Sequence, residues 1–227
     1  KKIMAFHHSP KIASDGLKFL MDIPNTKCYP GSGTVLTDLI EEATGNVSNA
    51  TIVTGVQGHM SFDGSGDSIA FPSTIEMGTT SYTIVFWFKT DAVDTGGYGY
   101  FVKNKTVTNG GFAIDEGGGA VGAGKLYYWD SSSGTGALNT TTLSVGVWHH
   151  IAFDVNSSTD VTNTYINGVL DKTTSTSVNY TTGFEKLGWN GGSHYLGGDM
   201  AHVAFYNRQL SATEVLQNYN AMKGRFE

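Results

Sequence analysis

SYTIVFWFKT, residues 81–90, reads as one long β-strand. Tyr82, Ile84, Phe86 and Phe88 fall on one face by the two-residue period of a pleated strand, while Thr83, Val85 and Trp87 fall on the other. Both faces are at least partly covered, so the strand belongs at the centre of a sheet. Working outward, shorter runs rich in β-branched and aromatic residues recur at 100–102, 111–114, 125–129, 149–155 and 162–166, separated by turn residues. Asn167-Gly168 follows the last run and leads into Val169-Leu170; this pair predicts a tight hairpin, because both residues tolerate positive φ. Upstream, SFDGSGDSI over 61–69 sets apolar residues around Gly and Asp positions, a bend between two strand pieces. Downstream, Ala201, Val203 and Phe205 alternate with Met200, His202 and Ala204. Ser211 with Glu214 three residues later is a capping box, and Val215, Leu216 and Tyr219 form one apolar stripe, so a short helix closes the sequence.

Composition agrees with this pattern. A chain of 227 residues with 30 Gly, 4 Pro and only 15% charged residues is turn-rich and carries an uncharged polar surface. GGYGY (96–100) and DEGGGAVGAGK (115–125) read as irregular loops. GLKFLMDI (16–23) begins the regular part, followed by a turn-rich NTKCYPGSG and a polar segment to about Gly58. No composition break or repeat divides the rest, so the organisation reads as an N-terminal arm, 1–15, and one domain, 16–227. The arm, opening on Lys1-Lys2, is either a docking tail or the fraying edge of a first strand.

Several partners are argued against. A net charge of −6 without a Lys/Arg cluster beyond the first two residues does not suit nucleic acid. No run approaches the ~20 apolar residues of a membrane span, and KKIMAFHHSP lacks a secretory apolar region, so a soluble chain is expected. Cys28 stands alone and is expected to be a buried or bystander thiol. Sequons such as those at Asn104 and Asn139 arise by chance in a chain this rich in Asn and Thr.

Four segments in order carry a family resemblance: SFDGSGDSIAF, SYTIVFWFKT, VGVWHHIAFDV with TYINGVL, and LGGDMAHVAFYNRQLSATEVLQNY. They resemble, respectively, the Phe-Asp-Gly hairpin, the Trp-bearing sheet strand, the Trp-His strand with its Asn-Gly hairpin, and the closing strand and helix of laminin-G-like domains in the concanavalin A-like lectin/glucanase superfamily. The resemblance runs from about Gly16 to Phe226. It implies an all-β fold, a two-sheet antiparallel jelly-roll sandwich with a short C-terminal helix, whose relatives bind sugars, proteins or substrate. SPKIASDGLKFLMDIPNTKCYPGSGT at the start and FYNRQLSATEVLQNYNAMKGRF at the end are similar in style to laminin-G-like proteins of tailed bacteriophages.

Fold does not fix function, and the chemistry has to be read separately. Glucanases of this superfamily place two acids at alternate positions of one strand, so that both carboxyls share a face. Here no two Asp or Glu lie at i and i+2; Glu41-Glu42 and Asp115-Glu116 are adjacent and point to opposite faces. The seven His show no HExxH spacing and no Ser sits in a G-x-S-x-G elbow, so no catalytic residue is assigned. His149-His150 beside Trp148 is expected to be sheet histidine satisfied by hydrogen bonds. A calcium ion needs six to eight oxygens. The loops that would supply them in a pentraxin-like site match 104–110 and 187–192, which hold no Asp or Glu, and Ala201 stands where relatives carry a structural-calcium acid. Asp63 and Asp199 are the two remaining candidate ligands, with turn and hairpin roles explaining both more simply; no metal or cofactor is assigned.

What is left is aromatic and amide-rich. Tyr98, Tyr100, Tyr127, Tyr128, Trp129, Trp189 and Tyr195 lie in or beside the Gly-rich loops, with Asn109 and Asn190 near them. Sugars stack their C–H faces on aromatic rings and hydrogen-bond to amides, so Tyr98, Asn109, Trp129, Trp189, Asn190 and Tyr195 are the candidate ligand-binding residues. Alternation puts Tyr127 and Trp129 on one face and Tyr128 on the other. The expectation is a non-enzymatic virion surface protein, a capsid decoration or tail-fibre component displaying a lectin-like domain. Its partners would be other virion proteins, a host glycan and, in a homo-oligomer, further copies of itself. The alternatives are a free carbohydrate-binding lectin or adhesin domain of a cell, secreted or at its surface, and behind both a glycoside hydrolase.

Overall fold

The computed structural model describes residues 11–76, 81–91, 97–104, 110–119, 121–129, 134–175 and 183–227. Among these lie the strands β1 (Leu17–Met21), β2 (Val35–Thr37), β3 (Thr44–Ser48), β4 (Thr51–Val53), β5 (His59–Asp63), β6 (Ser68–Ile75), β7 (Ser81–Thr90) and β8 (Tyr98–Asn104). There follow β9 (Gly111–Asp115), β10 (Lys125–Trp129), β11 (Trp148–Asn156), β12 (Val161–Ile166), β13 (Val169–Ser175), β14 (Phe184–Leu187), β15 (Gly197–Tyr206) and a single helix, α1 (Ala212–Phe226). The helix is too short and too polar to cross a membrane. Strands β2 to β4 fall in the stretch read from sequence as turn-rich and polar. They are three to five residues long and mostly exposed, so no two-residue hydrophobic period betrays them.

The strands form two antiparallel sheets. The first runs β13-β12-β11-β7-β15-β5-β4, with β1 also paired to β15; the second runs β10-β9-β8-β14-β6-β3-β2. Strand β7 lies between β11 and β15, the central position its two covered faces require. Tyr82, Ile84, Phe86 and Phe88 point into the space between the sheets, where they meet Phe101, Phe112, Phe153, Phe184 and Phe205. Ring pairs interlock the layers: Phe112 stacks on Phe153 with centroids 4.2 Å apart, and Phe86 lies 4.7 Å from Phe101. Each such ring contributes on the order of 1.5–3 kcal/mol through burial alone. Cys28 is buried in the same core, and desolvation pushes its thiol up to about 11.

The opposite face of β7 is covered by α1. Val85 packs with Tyr206, Leu210 and Val215, and Trp87 with Ala201 and Phe226. The capping box is formed as its sequence spacing predicts: Ser211 Oγ accepts from the Glu214 amide, and the Glu214 carboxylate accepts from the Ser211 amide. Arg208 grips the same carboxylate with both terminal nitrogens, at 3.0 and 2.6 Å, and holds the Glu214 acid down at about 2. Ala13 is fastened beneath the helix: its amide donates to Asn218 Oδ1 and its carbonyl accepts from the Tyr206 hydroxyl, which in turn accepts from Asn218 Nδ2. The Asn167-Gly168 hairpin joins β12 to β13 with φ of 52° and 79°, the left-handed pair that its sequence calls for.

His150 departs from the satisfied histidine expected of the Trp-His strand. It is fully buried under α1 between Trp87 and Tyr219, and neither ring nitrogen has a hydrogen-bonding partner among the described residues. The physical reason is its neighbourhood: the strand alternation that buries Phe153 inside turns His150 outward, into a pocket walled by aromatic rings. Its neighbour His149 accepts the Ser144 amide at Nε2.

Candidate functional site

At one end of the sandwich the strand termini of both sheets converge on an open cleft of about 450 Å³. Phe62 and Asp63 come from the end of β5, Asp91 from just after β7, Gly97 and Tyr98 from the start of β8, Glu116 from just after β9, and 193–197 from the approach to β15. The topology makes this meeting. Gly197 pairs with Asp63, Tyr98 pairs with Asp115, and the Gly64 amide donates to Leu196 O, so both sheets end together.

Backbone capture by two adjacent acids fixes the loops around the cleft. Asp115 accepts from the amides of Gly117 and Gly119 on one oxygen and of Val121 and Gly122 on the other, which fixes the glycine-rich loop after β9. Glu116 turns the other way and accepts from the Gly197 amide at 3.0 Å, tying that loop to the start of β15. The opposite pointing of this pair was legible in the sequence. The placing of Glu116 in a cleft with Asp63 and Asp91 was not, because it depends on which strands end side by side. Asp63 caps its own turn, accepting from the Ser65 amide, while the Asp63 amide donates to Asp67. Desolvation, reinforced by the charge of Asp199, pushes the Asp91 carboxyl up.

Of the aromatic residues singled out from sequence, Tyr98 and Tyr195 line this cleft, whereas Trp129 lies at the far end of β10, opposite Gly111. Tyr98 lies 4.7 Å from Tyr127 and 5.6 Å from His194, and joins Tyr100, Tyr127 and Trp129 in one cluster on the outer face of the second sheet. Tyr128, one residue along, is in the core, as alternation predicts. Trp189 and Tyr195 stack across the loop before β15, centroids 5.6 Å apart and rings 5° from parallel, while the Lys186 ammonium sits 3.8 Å from the Trp189 centroid. Trp189 also donates its indole N–H to Gly192 O, so it supports Tyr195, which is the ring that lines the cleft. Asn190 is buried. Its carboxamide oxygen accepts from the amides of Gly192 and His194, so its work is to shape the loop that carries His194 and Tyr195. Asn109 lies outside the described residues.

Asp199, the other candidate calcium ligand, is held by Lys89 at 2.6 Å and His59 at 3.4 Å, two residues along β15 from Gly197, the partner of Asp63. Ala201 packs against Trp87 and Phe226. Among the described residues no three His, Cys, Asp or Glu side chains come together as a metal site. What the arrangement offers is a concave wall with half-exposed rings, Tyr98, His194 and Tyr195, facing hydrogen-bonding carboxylates and a serine, Ser193.

Known proteins share this architecture. Residues 63–216 match the family model of the concanavalin A-like lectin/glucanases superfamily. Among solved structures, 94% of the chain aligns with 34% of the Trypanosoma rangeli sialidase chain, at 13% identity and a TM-score of 0.67. Domain 4 of AbnA, an extracellular GH43 arabinanase from Geobacillus stearothermophilus solved with arabinotriose, aligns over its full length with 91% of this chain, at 16% identity and a TM-score of 0.67. The receptor binding domain of botulinum neurotoxin type G covers 91% of the chain and 51% of its own, at 16% identity and a TM-score of 0.62. At these identities the likeness is one of fold, and the chain spans about a third of the sialidase it matches. No curated protein matches it in sequence.

Proposed function

The chain belongs to the concanavalin A-like lectin/glucanases superfamily, and from that premise we propose that it is a non-enzymatic carbohydrate-binding module whose ligand lies in the cleft between Tyr98, His194 and Tyr195. The observation that carries this reading is the Tyr195 ring, stiffened from behind by Trp189 and set beside Tyr98 in an open concave wall. A ring with a buttressed position offers a flat face at little entropic cost, which is what stacking on a sugar requires. Two of the three carboxylates in the lining are engaged in architecture: Glu116 holds Gly197 and Asp63 holds its own turn, which favours binding over hydrolysis. A relative in fold, the arabinanase domain, was solved with an arabinose trimer, which supports a sugar as the ligand class.

The test is calorimetry with glycans selected on an array. Tyr195→Ala is expected to weaken binding by about fivefold or more, consistent with roughly 1–3 kcal/mol for one aromatic contact, with the fold retained and only the Trp189 stacking lost from stability. Unaltered affinity in Tyr195→Ala and Tyr98→Ala would remove the cleft from the reading. Release of reducing sugar, abolished by Asp91→Asn, would replace a binding module with a hydrolase.

The proposed setting is a virion surface, as a capsid decoration or tail-fibre component, a reading supported by the phage-like style of the two ends of the sequence. Mass spectrometry of purified particles is expected to find the chain among virion proteins. Its absence from particles, with recovery from a cell surface, would favour an adhesin instead.

A further inference from the structure

The charge of the cleft is one-sided. Asp63, Asp91 and Glu116 line it, and among the described residues no Lys or Arg does. His194 is the one basic side chain among the described residues of the lining. Lys89 and His59 stand close enough to influence Asp91, yet both are engaged with Asp199, at 2.6 and 3.4 Å. Lys103 and Lys186, on the second sheet, are likewise engaged, Lys103 with Glu185 and Lys186 over the Trp189 ring.

We propose that the cleft is selective for neutral glycans and rejects those that carry a carboxylate or sulfate. This rests on the carbohydrate reading and names the class of sugar. Hydroxyl groups of an uncharged sugar donate hydrogen bonds to carboxylate oxygens, and such charge-assisted bonds are the stronger kind. An anionic sugar brings a charge to the same acids inside a concave wall that focuses their field, with no guanidinium fork to receive it. Discrimination built on an opposing charge of this kind acts against the wrong ligand rather than for the right one.

The experiment titrates the whole chain with oligosaccharide pairs that differ only by carboxylates in place of hydroxymethyl groups, such as galactotriose against trigalacturonate with its three, at pH 7 and low salt. Further pairs follow the sugars that an array returns. The neutral member is expected to bind at least tenfold more tightly. Raising the salt to about 1 M, where the screening length falls to about 3 Å, should narrow the ratio. The double variant Asp63→Asn/Asp91→Asn should narrow it as well, since both amides keep the size and polarity of the acids. Equal or tighter binding of the anionic member by the wild-type chain overturns the selectivity while leaving the cleft a sugar site. An unchanged ratio in the double variant overturns the assignment to these acids. Failure of every pair to bind overturns the selectivity and the carbohydrate reading together.

Discussion

Acidification from pH 7 to pH 3 should destabilise this domain by on the order of 4–5 kcal/mol through His150 alone, and His150→Leu should remove that loss. Burial among Trp87, Tyr219 and the neighbouring His202 pushes the His150 imidazole from its ordinary 6.5 down to about 3, desolvation first and the His202 charge second. Only the neutral ring fits the folded chain, whereas the unfolded chain takes up a proton near pH 6.5. Between 6.5 and about 3 the unfolded state therefore holds more protons, and stability falls with pH across that window before levelling off below it. His149 is shifted in the same direction by burial, offset in part by the Ser144 amide. Burial moves Asp154 the opposite way, raising its pKa, so its protonation opposes the loss at the acid end. Comparing urea unfolding of wild type and His150→Leu at pH 7, 5 and 4 isolates the histidine. Leucine also removes two unpartnered buried nitrogens, so it should be neutral to stabilising at pH 7. Parallel curves for the two proteins would show that His150 is hydrated or partnered in solution.

Gly198→Ala should be the more disruptive of two glycine changes beside the cleft. Gly198 has φ of 131°, and a Cβ there would stand 2.4 Å from Lys89 O on β7 and 3.0 Å from the Phe88 ring. Neither a backbone carbonyl nor a packed core ring can yield cheaply. The expected loss is about 3 kcal/mol or more, combining backbone strain with overpacking, and a Tm lower by roughly 6–12 °C. Gly64→Ala is the matched control, with φ of 83° and nothing within 4 Å of the added carbon. It should cost only the strain, about 1 kcal/mol. Equal losses at the two positions would mean that β15 and β7 do not approach as closely as Gly198 implies.

How far the sequence discloses this molecule follows from the range of each signal. Local signals were readable: the period of Tyr82, Ile84, Phe86 and Phe88, the Asn167-Gly168 turn and the Ser211/Glu214 cap each depend on residues within a few positions. Their meeting in one sandwich was legible because four such segments follow in a family's order. The short strands β2 to β4 were not, since a three-residue run such as Val35–Thr37 has too little length to show a period. The site divides in the same way. Aromatic residues beside glycine loops could be picked out as types, and Tyr98, Trp189 and Tyr195 do converge. Asp91 and His194 escaped notice, and Glu116 was read only as one of an adjacent acid pair, because all three stand outside the strands and only sheet order makes them neighbours. Asn190 and Trp189 look like ligand groups in sequence, yet their hydrogen bonds go to Gly192 and His194. A chain pattern gives a side chain's chemistry and leaves its partner to topology.

The cleft is the proposed place where sugar binds. Amide and aromatic chemical shifts recorded during titration with the best neutral glycan test this most directly. Perturbations concentrated at Tyr98, Ser193, His194 and Tyr195, with lesser effects at the Glu116–Gly197 contact, are the predicted result. Perturbations confined to the far end of the sandwich or to the outer face of α1, with these residues silent, would contradict it.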